Sequence, residues 1–232
     1  MDKVLASSDE AVKDIGEGAV ILSGGFGLCG IPENLIRALV RKGSKGLTII
    51  GNNLGSTDSK DGEIYGVGLL VKNRQVRRFI GSFPGPIVKF KWFHEQVQAK
   101  ALELEIIPQG TLNERIRCGG AGLGGVYTPT GVGTPIEEGK EKKTIGGREY
   151  LLETALRGDF ALLKAFKGDR SGNLVYRFSA RNYNPVMAPA AEVSIAEVEE
   201  LHEVGAFEPD SVHTSGIFVD RVVKGELYEK RA

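Results

Sequence analysis

Ala19-Val20-Ile21-Leu22-Ser23-Gly24-Gly25-Phe26-Gly27-Leu28-Cys29-Gly30-Ile31-Pro32 decides the reading of this chain. It opens as an apolar run of strand length and ends in four glycines within seven residues, then a proline. Leu35, Ile36, Leu39 and Val40 follow at helical spacing. The order is strand, glycine turn, helix. Glycines there permit φ > 0 and close approach of a ligand. Free N–H groups at the helix start suit an anion such as a phosphate or carboxylate. Pro32 fits the first helical position, where its missing N–H costs nothing.

Upstream, Ser7 and Glu10 have capping-box spacing before Ala11, Val12 and Ile15. Downstream, the helix after Pro32 stops near Gly43 and Gly46, and Leu47-Thr48-Ile49-Ile50 reads as a second strand. Gly51-Asn52-Asn53 follows at once, so two asparagines fall at a strand's carboxyl end, where open α/β sheets bind ligands. Residues 54–66 read as loop, 67–73 as a short helix, 76–80 as a strand, and 81–86 as a break. Residues 88–100 are helical by pattern, and Leu102, Leu104 and Ile106 alternate as in a strand that ends at Pro108-Gln109-Gly110. Thr111 and Glu114 form a second capping-box pair opening a helix, and a second glycine cluster fills 118–125. Residues 126–139 read as loop, and 143–151 as a hairpin turning at Gly146-Gly147. Strands are expected at 160–163, 174–176 and 217–219, 193–201 fits strand or helix, and the tail from 224 is charged. No linker divides the chain, so one three-layer α/β/α domain over 1–232, around a mostly parallel sheet, is expected.

Composition limits the function. The 232 residues carry 30 Lys+Arg and 30 Asp+Glu, a formal net charge of zero, with no basic stripe, which argues against nucleic acid as a partner. No apolar run approaches the ~20 residues of a membrane span, and the N-terminus lacks a signal-peptide pattern. Two cysteines, Cys29 and Cys118, make neither a disulfide framework nor a zinc site, so a reduced, cytoplasmic setting is expected. His94, His202 and His213 have no metal-ligand spacing, and Gly-x-Ser-x-Gly is absent. Solvent-facing or core roles are their default reading, and no metal is expected.

Three readings of the glycine turn compete. Gly25-x-Gly27-x-x-Gly30 matches the dinucleotide fingerprint in strand-to-helix context, which suits an NAD-dependent dehydrogenase. The acid expected about 20 residues on, for ribose hydroxyls, is replaced by Asn52 and Asn53. A non-catalytic sensor of a phosphorylated metabolite would use the same turn. A tight turn that holds no ligand is the third reading. Cys29 sits where a helix dipole favours a thiolate, although a small packing residue is the plainer role. Gln109 follows a strand at the same sheet edge as Asn52 and Asn53. Its amide suits either a developing oxyanion or a turn's backbone.

At this point the residues resemble a family. Gly24-Gly25-Phe26-Gly27-Leu28-Cys29-Gly30-Ile31-Pro32 is similar to the signature of the A (alpha) subunit of family I coenzyme A transferases. Asn52-Asn53, the run from Pro108-Gln109-Gly110 to Ile116, and Gly119-Gly120-Ala121-Gly122 resemble the family too. So do Thr130-Gly131-Val132-Gly133-Thr134, Gly158-Asp159-Phe160-Ala161 and Ser179-Ala180-Arg181-Asn182-Tyr183-Asn184. The likeness runs from about Val4 to about Lys230. It implies transfer of CoA from an acyl-CoA such as succinyl-CoA to a 3-oxo acid, by ping-pong chemistry through a glutamyl-CoA thioester. Ser82-Phe83-Pro84 and Lys167-Gly168-Asp169-Arg170 look more like relatives acting on 3-oxoadipate, the alternative acceptor. The resemblance implies that Gln109 supports the oxyanion and that Asn52 and Asn53 line the substrate end. It assigns CoA contact to Gly24, Gly25, Phe26, Gly27, Leu28, Cys29 and Gly30, with CoA as substrate and no permanent cofactor. The nucleophilic glutamate belongs to an obligate B subunit. Glu33 and Glu137 here have fragments of its motif only, and read as a helix-dipole partner and a solvated loop acid.

Overall fold

The computed structural model describes residues 2–57 and 63–226, so parts of the expected 54–66 loop and of the charged tail lie outside the described residues. In chain order the elements are α1 (Ser8–Ala11), β1 (Val20–Ser23), α2 (Glu33–Lys42), β2 (Leu47–Asn53), β3 (Ser56–Thr57) and β4 (Ile64–Tyr65). Then come α3 (Gly68–Lys72), β5 (Val76–Phe83), α4 (Lys91–Gln98), β6 (Glu103–Ile106) and α5 (Gln109–Gly120). β7 (Gly125–Thr128), β8 (Lys142–Ile145), β9 (Arg148–Thr154), β10 (Gly158–Asp169) and β11 (Leu174–Val175) follow. α6 (Asn184–Met187), β12 (Ala191–His202) and β13 (Arg221–Lys224) complete the chain.

Seven strands form a parallel run in the order β13-β12-β10-β1-β2-β5-β6, and β11 adds antiparallel to β10. β1 lies in the middle. The chain winds outward from it through β2, β5 and β6, then returns to its other side with β10, so the order reverses beside β1. In a sheet of this type the crevice at that reversal, at the carboxyl ends of the strands, takes the ligand.

Alternation along the strands separates two cores. Ile21, Ile49, Phe79, Leu162 and Ile195 face α1 to α4. Leu22, Ile50, Ile80, Leu163 and Ala196 face α5 and α6. Helices therefore cover both faces, giving the expected three layers. Each fully buried Ile, Leu or Phe in these cores contributes roughly 1.5–3 kcal/mol. A separate antiparallel sheet, β7-β9-β8, turns at Gly146 and Gly147 with φ of 58° and 80°, the primed geometry expected for this hairpin.

Several local expectations need correction. β2 runs through both asparagines, and β5 runs through Ser82 to Phe83 where a break was expected, because its parallel pairing extends to Asn53↔Phe83. β7 occupies part of the expected 126–139 loop, pairing with β9. The ambiguous 193–201 is strand, paired along β10. Residues 217–219 are not a strand: Gly216–Phe218 is a 3-10 turn, and the last strand is β13. Pro32 is the cap of α2 rather than its first helical residue. At α1 the Ser7 hydroxyl accepts the Glu10 N–H at 3.1 Å, but the Glu10 carboxylate takes the Ala6 N–H. The Thr111–Glu114 capping box does not form. α5 already begins at Gln109 behind Pro108, and Thr111 Oγ1 is buried with no hydrogen-bond partner among the described residues.

Candidate active site

The glycine turn leaves β1 at the strand-order reversal. Phe26 and Cys29 exchange two backbone hydrogen bonds of 3.0 Å each, so Gly27-Leu28 is the tip of a miniature hairpin. Gly27, with φ of 60° and open space where a Cβ would stand, supplies the left-handed residue this tip needs. Gly24 has a different role. A Cβ there would lie 1.9 Å from Asn184 Oδ1, so the glycine makes room for a neighbouring side chain and not for a ligand.

A hydrogen-bonded relay crosses the edge. Gln109 Nε2 donates to Asn52 Oδ1 at 2.8 Å, and Ser82 Oγ donates to the same oxygen at 2.7 Å. Asn52 Nδ2 donates to Asn53 Oδ1 at 3.1 Å, and the Gly27 N–H reaches that oxygen at 3.0 Å. Asn53 Nδ2 closes on the Gly55 carbonyl at 3.0 Å. The glycine turn, Asn52, Asn53 and Gln109 thus share one network, with Asn52 buried and Gln109 exposed.

Gln109 is the first residue of α5 and not a turn residue. Its helix is fixed from below: Arg115 Nε donates to the Thr154 carbonyl at 2.7 Å, and its Nη1 meets Glu105 at 3.1 Å. The Tyr183 hydroxyl donates to the Gln109 carbonyl at 3.2 Å, and burial pushes that phenol up to about 12, so it stays protonated. Two bonds therefore orient Gln109, one from its side chain and one to its backbone. With one Nε2 hydrogen given to Asn52, the other remains for a ligand. Phe26, Gln109, Gly110, Asn113, Asn182 and Tyr183 line a shallow, open hollow of about 360 Å³. On the far side of the turn, Leu28, Cys29, Gly30, Ile31, Lys164 and Arg177 line a cleft of about 180 Å³.

The helix start is not the anion site that the sequence suggested. The Glu197 carboxylate already occupies it, accepting from Asn34 N at 2.7 Å, Leu35 N at 3.1 Å and Asn34 Nδ2 at 2.7 Å. Glu197 is fully buried, which raises its pKa, against the opposing pull of Lys164 Nζ at 3.2 Å. Gly24 N–H is taken by the Leu162 carbonyl. Among the described residues, the N–H groups of Gly25, Leu28, Gly30 and Ile31 have no acceptor, and these are the turn's available donors.

Cys29 is exposed beside the cleft, which removes its reading as a packing residue, while Cys118 is buried in α5. Glu33 is buried at the start of α2 and borders the cleft, apart from the Gln109 hollow. Glu137 pairs with Lys142 at 2.7 Å and accepts the Gly133 N–H, both of which lower its pKa. His213 Nδ1 accepts the Tyr176 N–H. Among the described residues no His, Cys, Asp and Glu group could hold a metal, and no helix is long and apolar enough to cross a membrane.

Sequence reasoning quoted Ser82 only as a clue to the acceptor, within an expected break, and missed Glu197, hidden in a segment of undecided type. It quoted Asn182 and Asn184 without giving them a task. The polar Ser82 directly after Ile80-Gly81, at a strand's carboxyl end, was the signal available.

The family model for coenzyme A transferase matches residues 5–225. The chain is 51% identical over 231 residues to the A-type subunit of a probable succinyl-CoA:3-ketoacid coenzyme A transferase from Bacillus subtilis (strain 168), covering 100% of this chain and 93% of that protein. It is 48% identical to the Homo sapiens "Succinyl-CoA:3-ketoacid coenzyme A transferase 2, mitochondrial", covering 99% of this chain and 46% of the human one. Among solved structures, an acyl-CoA transferase from E. coli O157:H7, captured as a thioester complex with CoA, superposes with a TM-score of 0.79 at 22% identity. That match covers 97% of this chain and 47% of the other, and shows a shared fold.

Proposed function

The chain belongs to the coenzyme A transferase family, and within it we propose that it is the A-type (alpha) subunit of a succinyl-CoA:3-oxo acid CoA-transferase, active only with a B subunit. The names of its relatives support the 3-oxo acid acceptor over 3-oxoadipate, and the family match sets aside the dehydrogenase and sensor readings. One observation carries the mechanism: an oriented amide, Gln109, stands exposed beside a glycine turn with unspent N–H groups.

In the proposed reaction the B subunit supplies a glutamate carboxylate, which attacks the acyl-CoA carbonyl. The tetrahedral oxyanion expels CoA thiolate and leaves a mixed anhydride. The thiolate then attacks the glutamyl carbonyl, releasing the first acid and forming the enzyme–CoA thioester. The acceptor acid runs the same steps in reverse. The free Nε2 hydrogen of Gln109 stabilises the oxyanion, and the Asn52 carbonyl oxygen, itself held by Ser82, keeps the amide aimed. Asn53 in turn ties the Asn52 amide to Gly27. Of the expected CoA contacts 25–30 remain, since Gly24 is taken up by Asn184 and Leu162, and the acid end lies toward Asn52 and Asn53.

The edge also has the surface of a half-site. Phe26, Leu28, Phe83, Ile106 and Phe178 are exposed along the carboxyl ends of the strands. They are five of the ten large exposed hydrophobics among the described residues, which suits a face covered by a second chain. The human relative is about twice the length matched here, room for that second half. The whole chain acts as one domain of this assembly, and its two free cysteines suit the cytoplasm. The test is to co-express this chain with a candidate B subunit, then to assay acyl-CoA donors against acid acceptors. Transfer from succinyl-CoA to 3-oxobutanoate is expected; preference for 3-oxoadipate would change the acceptor, and no transfer with any pair would refute the reading.

A further inference from the structure

We infer that Asn182 and Asn184 are positioning residues for acyl-CoA, gripping the glycine turn by its carbonyls so that its N–H groups face the substrate. The inference rests on the transferase reading. Asn184 is fully buried, and its amide joins three segments. Nδ2 donates to the Gly30 carbonyl at 3.1 Å and the Ala180 carbonyl at 2.9 Å, while Oδ1 accepts the Lys164 N–H of β10 at 2.9 Å. Asn182 Nδ2 donates to the Cys29 carbonyl at 3.0 Å and the Ser179 carbonyl at 2.7 Å. Consecutive carbonyls of the turn are thus held by two side-chain amides.

A trans peptide sets its C=O and the next N–H on opposite sides. With the Cys29 and Gly30 carbonyls turned onto the clamp, the N–H groups of Gly30 and Ile31 point away from it. Neither has an acceptor among the described residues, and both residues line the cleft with Lys164 and Arg177, which the two asparagines do not line. The glycines complete the fit. A Cβ at Gly30 would stand 2.7 Å from the Ala180 carbonyl and 2.9 Å from Asn184 Nδ2, and one at Gly24 would strike Asn184 Oδ1. The clamp segment also holds Phe178 at φ of 50° while 89% exposed. A bulky residue stays in that region only where its surroundings enforce it. Lys164 N–H and Gly30 carbonyl, on either side of one buried amide, link the core strand to the substrate edge.

The experiment uses the complex of this chain with its B subunit, succinyl-CoA as donor and 3-oxobutanoate as acceptor. Asn182 is half-buried and belongs to neither hydrophobic core, so Asn182→Ala loosens the turn without opening the core. Asn184→Asp keeps the acceptor for Lys164 N–H and loses both donors. Because a misplacement of about 1 Å costs on the order of a hundredfold, kcat/KM for succinyl-CoA should fall roughly tenfold to a hundredfold in each. The same constant for 3-oxobutanoate, which meets an enzyme already bearing CoA, should stay within about twofold. The melting temperature of Asn182→Ala should match wild type. Equal losses for both substrates, or an unchanged constant for succinyl-CoA in Asn182→Ala, would overturn the positioning role alone. A wild-type complex unable to transfer CoA would overturn the transferase reading and this inference together.

Discussion

At the scale of single residues, the proposed chemistry rests on Gln109. One of its two Nε2 hydrogens is spent on Asn52 at 2.8 Å, and that bond gives the other a direction. Gln109→Ala in the full complex should lower kcat by about a hundredfold, the usual cost of one oxyanion donor, with the acid KM little changed. Single-turnover kinetics checks this directly, and an unchanged chemical step would reduce Gln109 to a helix-start residue. The position of Gln109 was readable because Pro108 ends a strand-like alternation and an amide follows. Its helical setting was not. Thr111 and Glu114 have capping-box spacing, but Pro108 with φ of −52° caps the helix three residues earlier and leaves Thr111 inside it.

The glycine turn, as an element, is built for two neighbours at once. The sequence announces a tight turn, but spacing alone cannot tell glycines that admit a ligand from glycines that admit a side chain. Gly24 faces Asn184, some 160 residues away, and no local pattern encodes that contact. The distinction is measurable. Gly27→Ala meets no atom and bears only left-handed strain, about 1–2 kcal/mol. Gly24→Ala forces backbone against a buried amide and should cost clearly more, with overpacking typically about 1–3 kcal/mol or beyond; denaturant titration of the two variants ranks them. The segment at β11 supplies a pH effect. Burial, with Arg181 nearby, holds His213 below its ordinary 6.5, and its Nδ1 accepts the Tyr176 N–H as a neutral ring. A depressed pKa in the fold stabilises at pH above the unfolded value and is lost as pH falls through the folded one. The melting temperature should therefore drop as pH falls below about 6.5, and His213→Phe should flatten the wild-type slope in that window.

Across the whole molecule, the alternation of apolar strands and amphipathic helices made the parallel three-layer architecture legible, since each strand must bury both faces. Strand order was not legible beyond that, because β10 and β12 pair over twelve-residue strands whose partners are fixed by tertiary contact. Nor was the α2 cap. Glu197 closes the helix start from a strand that the sequence left undecided, and so shifts the available N–H groups to Gly25, Leu28, Gly30 and Ile31. What remains exposed is an edge with the Gln109 amide, the glycine turn and an apolar border, and neither Glu33 nor Glu137 lines the Gln109 hollow. A stable partner should bury well over ~2,000 Å² in total.

In the proposed assembly this chain forms half a site, and its nucleophile comes from the B subunit. The most direct measurement is to incubate the complex with succinyl-CoA, reduce the enzyme–CoA thioester with borohydride and map the altered residue by mass spectrometry. A single modified glutamate is expected on the B subunit, with none on this chain and no transfer by this chain alone. Modification of Glu33 or Glu137 in an isolated chain that transfers CoA would contradict it.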